Sequence, residues 1–282
     1  MKNIKQYIIW SLSVLALVSC NLDQEIEIEL PEYTPQVVVE CYIENGQELR
    51  VLLSESVPYF DVIPQDPLEY LGNILLEGAT VSISYNGNTY ELEEGLVVNP
   101  FTLQLNNYSN SEVVDVEPGT VFELEIILAD GSVLTSSTSM VVPIPIDSSS
   151  IQFNPFQPEF ARTLIYGTDP SPEPNYIRRI LHKGSLDSLE IDFVTSDDLV
   201  DTEIFLFGSD YSFEVGDTII NTMIHINKEY YDFFQSAAGA AFINGNPFGQ
   251  PGQFISNIKG PGDPIGIFTC MSRETLIEIV EE

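Results

Sequence analysis

The chain has 282 residues, of which 43 are acidic and 10 are lysine or arginine, giving a formal charge of −33 with 44% hydrophobic and 11% aromatic residues. A phosphate backbone demands clustered cations, and only Arg178, Arg179 and Lys183 fall close together, interrupted by Ile180, Leu181 and His182; nucleic acid is excluded as a partner. The apolar share is that of a folded chain, enough for one large core or two modest ones.

The first residues read as an export signal. Lys2 and Lys5 precede an apolar stretch from Tyr7 to Val18, 12 residues long, where a membrane-spanning helix needs roughly 20. Leu17, Val18, Ser19 and Cys20 then fill, in order, the branched apolar, tolerant, small and cysteine places of a motif that resembles the lipobox of bacterial lipoproteins. The resemblance implies signal-peptidase recognition of Leu17, Val18 and Ser19, cleavage before Cys20, and attachment of diacylglycerol to the Cys20 thiol. Residues 1–20 are therefore expected to be a signal peptide. Their loss removes Lys2 and Lys5 and no acid, leaving 43 acidic against 8 basic residues and a charge of −35. Each buried methylene contributes about 0.8 kcal/mol, so two or three acyl chains suffice for stable membrane anchorage.

Residues 21–35 read as an acidic tether, with Asp23, Glu25, Glu27 and Glu29 ahead of Pro31 and Pro35. An extended, solvated spacer is the plain reading. Acids directly after the lipidated cysteine also look like the surface-export signals of Bacteroidota lipoproteins, although Asn21, Leu22 and Gln24 interrupt them. An outer-membrane location follows, with the cell surface preferred over the periplasmic side. The wider acid excess has three readings: a solubility device, adaptation to salt, or a surface for cations or basic ligands. The first two are preferred.

From residue 36 the chain alternates with period two. Val37, Val39, Cys41 and Ile43 alternate with Val38, Glu40 and Tyr42; Val81 and Ile83 with Thr80, Ser82 and Ser84; Phe122, Leu124, Ile126 and Leu128 with Glu123 and Glu125. Such patterns predict antiparallel strands with one wet face, and Asn45-Gly46, Asn86-Gly87 and Asp130-Gly131 supply the hairpin turns. The class is mainly β. Residues 36–142 are expected to form an immunoglobulin-like or transthyretin-like β-sandwich. Pro143 and Pro145 remove two amide donors and mark a boundary.

Residues 143–282 are expected to form a second β-rich domain, with strands near 161–167, 175–183, 188–195, 203–207 and 218–226. One amphipathic helix is predicted over 228–240, with Asn227 as its cap and Tyr230, Tyr231, Phe234, Ala237 and Ala238 as its core-facing stripe. A Gly/Pro-rich loop over 245–266 reads equally as a cover packed on a sheet or a contact surface for a partner. Strand-like segments follow at Ile267–Thr269 and Leu276–Val280.

The motifs of chemistry are sparse. The two histidines, His182 and His225, carry no nucleophile elbow and no zinc-peptidase motif around them, and both read as strand residues. Asp197, Asp198, Asp201 and Glu203 offer oxygen ligands of the kind calcium prefers, without EF-hand spacing, so a solvated acidic turn is the plainer reading. Cys41 shares the apolar parity of its strand and reads as a buried thiol; a Cys41–Cys270 disulfide is chemically allowed outside the cytoplasm. No catalytic residue and no cofactor is assigned.

Several segments together resemble the Bacteroidota outer-membrane lipoproteins of domain-of-unknown-function family four-two-four-nine: the lipobox; Val38-Val39-Glu40; Leu52-Leu53-Ser54-Glu55-Ser56-Val57-Pro58-Tyr59-Phe60; Gly78-Ala79-Thr80-Val81-Ser82-Ile83; Val142-Pro143-Ile144-Pro145-Ile146-Asp147; the Asn227–Phe234 helix; and Ser256-Asn257-Ile258-Lys259-Gly260 with Gly266-Ile267-Phe268. The resemblance implies a protein whose gene often stands beside that of a TonB-dependent transporter, and it brings no catalytic residues. The expected function is that of a membrane-anchored, non-enzymatic accessory or ligand-binding partner of such a transporter. A structural or adhesive surface protein is the alternative, and a carboxylate-dependent hydrolase a further one.

Overall fold

The computed structural model describes residues 33–58, 64–98, 104–169, 174–197, 204–244 and 253–281. Leu17, Val18, Ser19 and Cys20, most of the acidic tether, and Asp198, Asp201 and Glu203 lie outside the described residues. Pro35–Glu282 form one compact unit, and that unit is mainly β.

In the first half β1 (Val37–Ile43), β2 (Glu48–Glu55), β3 (Thr80–Tyr85), β4 (Asn88–Val98), β5 (Leu105–Val113), β6 (Val121–Ile127) and β7 (Val133–Ser139) follow the period-two pattern. In β6, Phe122, Leu124 and Ile126 are buried while their neighbours face water. The β3–β4 hairpin turns through Asn86 and Gly87, both at positive φ (48° and 78°), the geometry that makes Asn-Gly the preferred two-residue turn. A short helix α1 (Pro67–Ile74) sits between β2 and β3; the period-two pattern gave no sign of it.

The second half contributes β8 (Ser148–Phe153), β9 (Ala161–Thr168), β10 (Tyr176–Lys183), β11 (Leu189–Ser196), β12 (Ile204–Gly208), β13 (Thr218–Ile226), helix α2 (Lys228–Asn244) and β14 (Ile265–Ile279). β14 is one strand of 15 residues. The polar stretch Ser272–Thr275 does not interrupt it, because its two ends pair with different neighbours. Ile265–Cys270 run parallel to β1, and Met271–Ile279 run antiparallel to β13. The large sheet consequently has eleven strands in the order β11-β10-β13-β14-β1-β2-β5-β4-β3-β6-β7, beside a three-stranded sheet β12-β9-β8.

The large sheet folds over at β4. Val81–Tyr85 of β3 pair with Asn88–Leu92, whereas Glu93, Glu94, Val97 and Val98 pair with β5, with a register shift between Glu94 and Val97. Side chains of β1, β2, β5 and the start of β14 thereby meet those of β3, β6 and β7 in one sandwich-like core, which includes Val39, Leu53, Tyr108, Phe122, Leu134 and Phe268. Edge strand β7 is tied to β14 and the loop before it by Cys270 N donating to Thr138 Oγ1 (3.3 Å) and by the paired backbones of Thr135 and Lys259. Gly266 is obligatory at this junction: its φ is 142° and a Cβ there would lie 1.9 Å from the Val39 carbonyl oxygen.

In the second half, Ile177, Arg179 and Leu181 of β10 with Ile219, Asn221 and Met223 of β13 face the small sheet. Two apolar clusters form there, around Leu181, Phe213 and Ile219 and around Ile165, Ile177 and Met223. Between them runs a buried polar path. Arg179, fully buried, donates to Gly208 O (2.6 Å) and Asn221 Oδ1 (3.1 Å); Asn221 donates to Thr163 Oγ1 (3.1 Å); and Thr163 and Ser149 both donate to Glu278. Burial pulls the Arg179 guanidinium down to about 10.

Helix α2 spans the predicted 228–240 and continues to Asn244. Tyr230 is buried, and with Tyr231, Phe233 and Phe234 it packs on Val194, Ile224, Ile226 and Met271; the aromatic part of the predicted stripe faces the core, with Phe233 added, whereas Ala238 is exposed and Ala237 lies outside the cluster. The backbone carbonyl of Asn227 accepts from Tyr230 and Tyr231. Its side-chain amide instead reaches back to Thr138 Oγ1 and Ser139 O, 2.9 Å each, so Asn227 fastens the helix start to β7. The described part of the Gly/Pro-rich loop packs on the sheet around Asn257 and Ile258 and leaves Phe254 and Ile255 exposed: Ser136 Oγ donates to Asn257 O (2.9 Å), and Asn257 exchanges two hydrogen bonds with the backbone of Phe268.

Candidate functional site

The even-numbered residues of β10 and β13 and the odd-numbered residues of β14 point away from the small sheet. Antiparallel register sets them in rows across the strands: Arg178, Ile224, Arg273; then Asp192, Ile180, Thr222, Thr275; then His182, Ile220, Ile277. Helix α2 covers one end of this face with Tyr230. Tyr42 and Glu44 from the end of β1, Glu48 and Arg50 from β2, and Asn106 from β5 continue the wall on the other side. What remains open is a trough of about 920 Å³, within the size range of small-ligand sites.

Three of the five arginines in a strongly acidic chain line this trough. Arg178 is fully engaged. Its Nε and Nη2 donate to both oxygens of Asp192 (2.8 and 2.7 Å), its Nη1 donates to Tyr230 Oη, and its guanidinium lies 4.9 Å over the Phe234 ring. Burial pulls its pKa down, but the Asp192 hydrogen bonds and the neighbouring Tyr230 outweigh that and hold it above the ordinary arginine value. The same packing raises Tyr230, chiefly through burial.

Arg273 and Arg50 are differently placed. Among the described residues Arg273 has one ion pair, to Glu44 at 3.6 Å through Nε, too long for a hydrogen bond. Arg50 donates through Nη2 to Glu48 (2.9 Å). In both, Nε is buried and has no hydrogen-bond partner among the described residues, and the same holds for Nδ1 of His182. Glu44 is held above the ordinary carboxylate range by burial, against the opposing pull of Arg273. Thr222 and Thr275 share a hydroxyl–hydroxyl contact of 3.2 Å on the floor. The trough thus combines a strip of aliphatic side chains with charged groups whose nitrogens are under-used.

Of the described residues singled out from sequence, Arg178, His182 and Tyr230 line the trough. His225 is buried on the opposite face with Nδ1 against the Val142 carbonyl, and burial lowers its pKa. Lys183 pairs with Asp217 at 2.7 Å. Of the four calcium candidates only Asp197 is described, and both its oxygens accept from Asn175, at 2.7 Å from the backbone and 2.9 Å from the side chain. Among the described residues no group of three or more His, Cys, Asp or Glu is placed to hold a metal ion. Cys41 and Cys270 are free, buried thiols on adjacent strands, and burial raises both, Cys270 to about 12. No described helix is long and apolar enough to cross a membrane.

Fold and site together define a mainly β protein in which one folded-over sheet carries an open, arginine-lined trough on a face left bare beside a helix. The chain belongs to the family described as Domain of unknown function (DUF4249), which matches residues 23–277. Comparison with curated proteins finds no match.

Proposed function

We propose that the protein is a lipid-anchored lipoprotein of the bacterial outer membrane, of the Bacteroidota type, that works without catalysis as a binding module. In this reading it presents its trough to a ligand or partner at a TonB-dependent transporter. The observation that carries the binding part is the trough itself: an acidic chain gathers three of its five arginines there, and Nε of Arg50 and of Arg273 has no hydrogen-bond partner among the described residues. The lipobox at Leu17–Cys20 supports the anchor, and the gene neighbourhood implied by the family resemblance supports the transporter. Acylation of Cys20 supplies the membrane affinity, which frees the folded surface for recognition.

A photoreactive residue placed in living cells at Ile277, which is exposed and lines the trough, tests this. It is expected to trap a TonB-dependent transporter or its cargo, while the same probe at exposed Val121 on β6 does not. Identical adduct patterns from the two positions overturn the docking role. Mass spectrometry of the native N-terminus checks the anchor, and an unacylated Cys20 or a retained leader overturns it.

A further inference from the structure

We propose that the trough takes an amphipathic carboxylate, an aliphatic chain ending in one carboxylate group, and that Arg273 is the residue that reads the anion. The proposal rests on the trough being a binding site and names what it binds. Among the described residues five buried side-chain polar atoms lack a hydrogen-bond partner, and three of them, Arg50 Nε, His182 Nδ1 and Arg273 Nε, belong to trough-lining residues. The two arginine nitrogens are obligate donors, so the unmet demand is for an acceptor.

The three arginines are not equivalent in this respect. Arg178 has its fork closed on Asp192 and its remaining nitrogen on Tyr230, which makes it a fixed part of the wall. Arg273 stands on the floor with a fork that Glu44 meets only at 3.6 Å. A planar carboxylate matches such a fork with two parallel, charge-assisted hydrogen bonds. The lining also carries Glu44, Glu48, Asp187 and Asp192, so the selection is made locally at the Arg273 fork, where a neutral hydroxyl brings a weaker acceptor and a cation brings none.

The ligand's other end is set by what surrounds Arg273. Ile224 lies directly opposite it on β13 and Met271 precedes it on the same face of β14, while beyond the Thr222–Thr275 pair come Ile277 and, opposite it, Ile220. A ligand that places its charge on Arg273 therefore lays its body on aliphatic side chains. The net charge of the chain, −33, selects further. A multiply charged anion is opposed by the field of the whole molecule, whereas a monoanion meets that opposition least.

Calorimetric titration of the full native protein in nanodiscs, with empty nanodiscs subtracted, tests the assignment with three probes: hexanoate, hexanol and hexyl phosphate. Hexanoate is expected to bind, with hexanol weaker by at least about tenfold, because a site built to pair a polar group rejects the analogue that lacks it. Arg273→Met is expected to erase that advantage and leave hexanol binding unchanged. The double variant Arg273→Met/Glu44→Gln removes both partners of the ion pair and guards against misfolding caused by an unpaired Glu44. Arg273→Lys, which keeps the charge and loses the fork, is expected to fall between.

Equal binding of hexanoate and hexanol, tighter binding of hexyl phosphate, or a hexanoate affinity indifferent to Arg273→Met each overturns the proposal. If no probe binds while the crosslink from Ile277 persists, the ligand class is wrong and the docking site stands. If both experiments fail, the trough is not a binding site.

Discussion

The two halves of the folded unit spend their interiors differently. The first is built on one continuous core of 20 buried residues, three of which, Ile258, Phe268 and Cys270, come from β14 and the loop before it. The second divides its buried apolar side chains among three clusters of 6, 5 and 4 residues and threads Arg179, Asn221, Thr163 and Glu278 between the sheets. A continuous apolar core stabilises without directional constraint. A buried polar path must keep every partner in place, because an unmatched group costs more than a satisfied one contributes. The trough opens on the second kind of interior, where the faces of β10, β13 and β14 are already fixed by hydrogen bonds beneath them.

The substitution that breaks the comparison most severely is Gly266→Ala, because β14 belongs to both halves. A Cβ 1.9 Å from the Val39 carbonyl forces β14 away from β1, and a loss of more than about 3 kcal/mol in urea unfolding is expected. A smaller loss would show that the junction can yield. Next come one truncation in each half: Phe122→Ala, in the continuous core, is expected to cost about 3–5 kcal/mol. Arg179→Ala, which leaves Gly208 O and Asn221 Oδ1 unmatched, is expected to cost about 2–4 kcal/mol. If Arg179→Ala proves neutral, the polar path has no part in holding the second half.

The smallest effect concerns pH. Burial holds His225 below its ordinary value of 6.5, so as the pH falls the unfolded chain takes up a proton before the folded one does. The stability kept by a neutral His225 is complete above 6.5 and declines as the pH drops from there toward the folded-state value. Urea midpoints measured at about pH 7 and about pH 5 are expected to differ in that direction, and His225→Gln is expected to narrow the gap. An unchanged gap assigns the pH dependence to other groups.

Strand positions were legible because period two and β propensity act locally. The segments read near 161–167, 175–183, 188–195 and 218–226 match β9, β10, β11 and β13 to within a residue at each end. β8 was missed because Ser148, Ser149 and Ser150 blur its alternation, and β14 was read as two pieces across Ser272–Thr275. The trough was not legible at all. Arg178 and His182 share a parity on β10, as Arg273 and Thr275 do on β14, but their convergence depends on β14 lying between β13 and β1. That neighbourhood joins residues more than 200 positions apart in sequence, and no local pattern announces it. Arg50 gave still less warning, since its alternation marks it only as a wet-face residue.

The placement of β1 also has a mechanical consequence. It is the first strand after residue 35, and it is held on both sides, parallel to β14 and antiparallel to β2. A pull applied at residue 35, as the proposed lipid anchor would apply it, is delivered lengthwise to a central strand, so it loads two ladders in shear instead of unzipping one edge. Under steady force from that end, the folded unit would therefore yield last at β1.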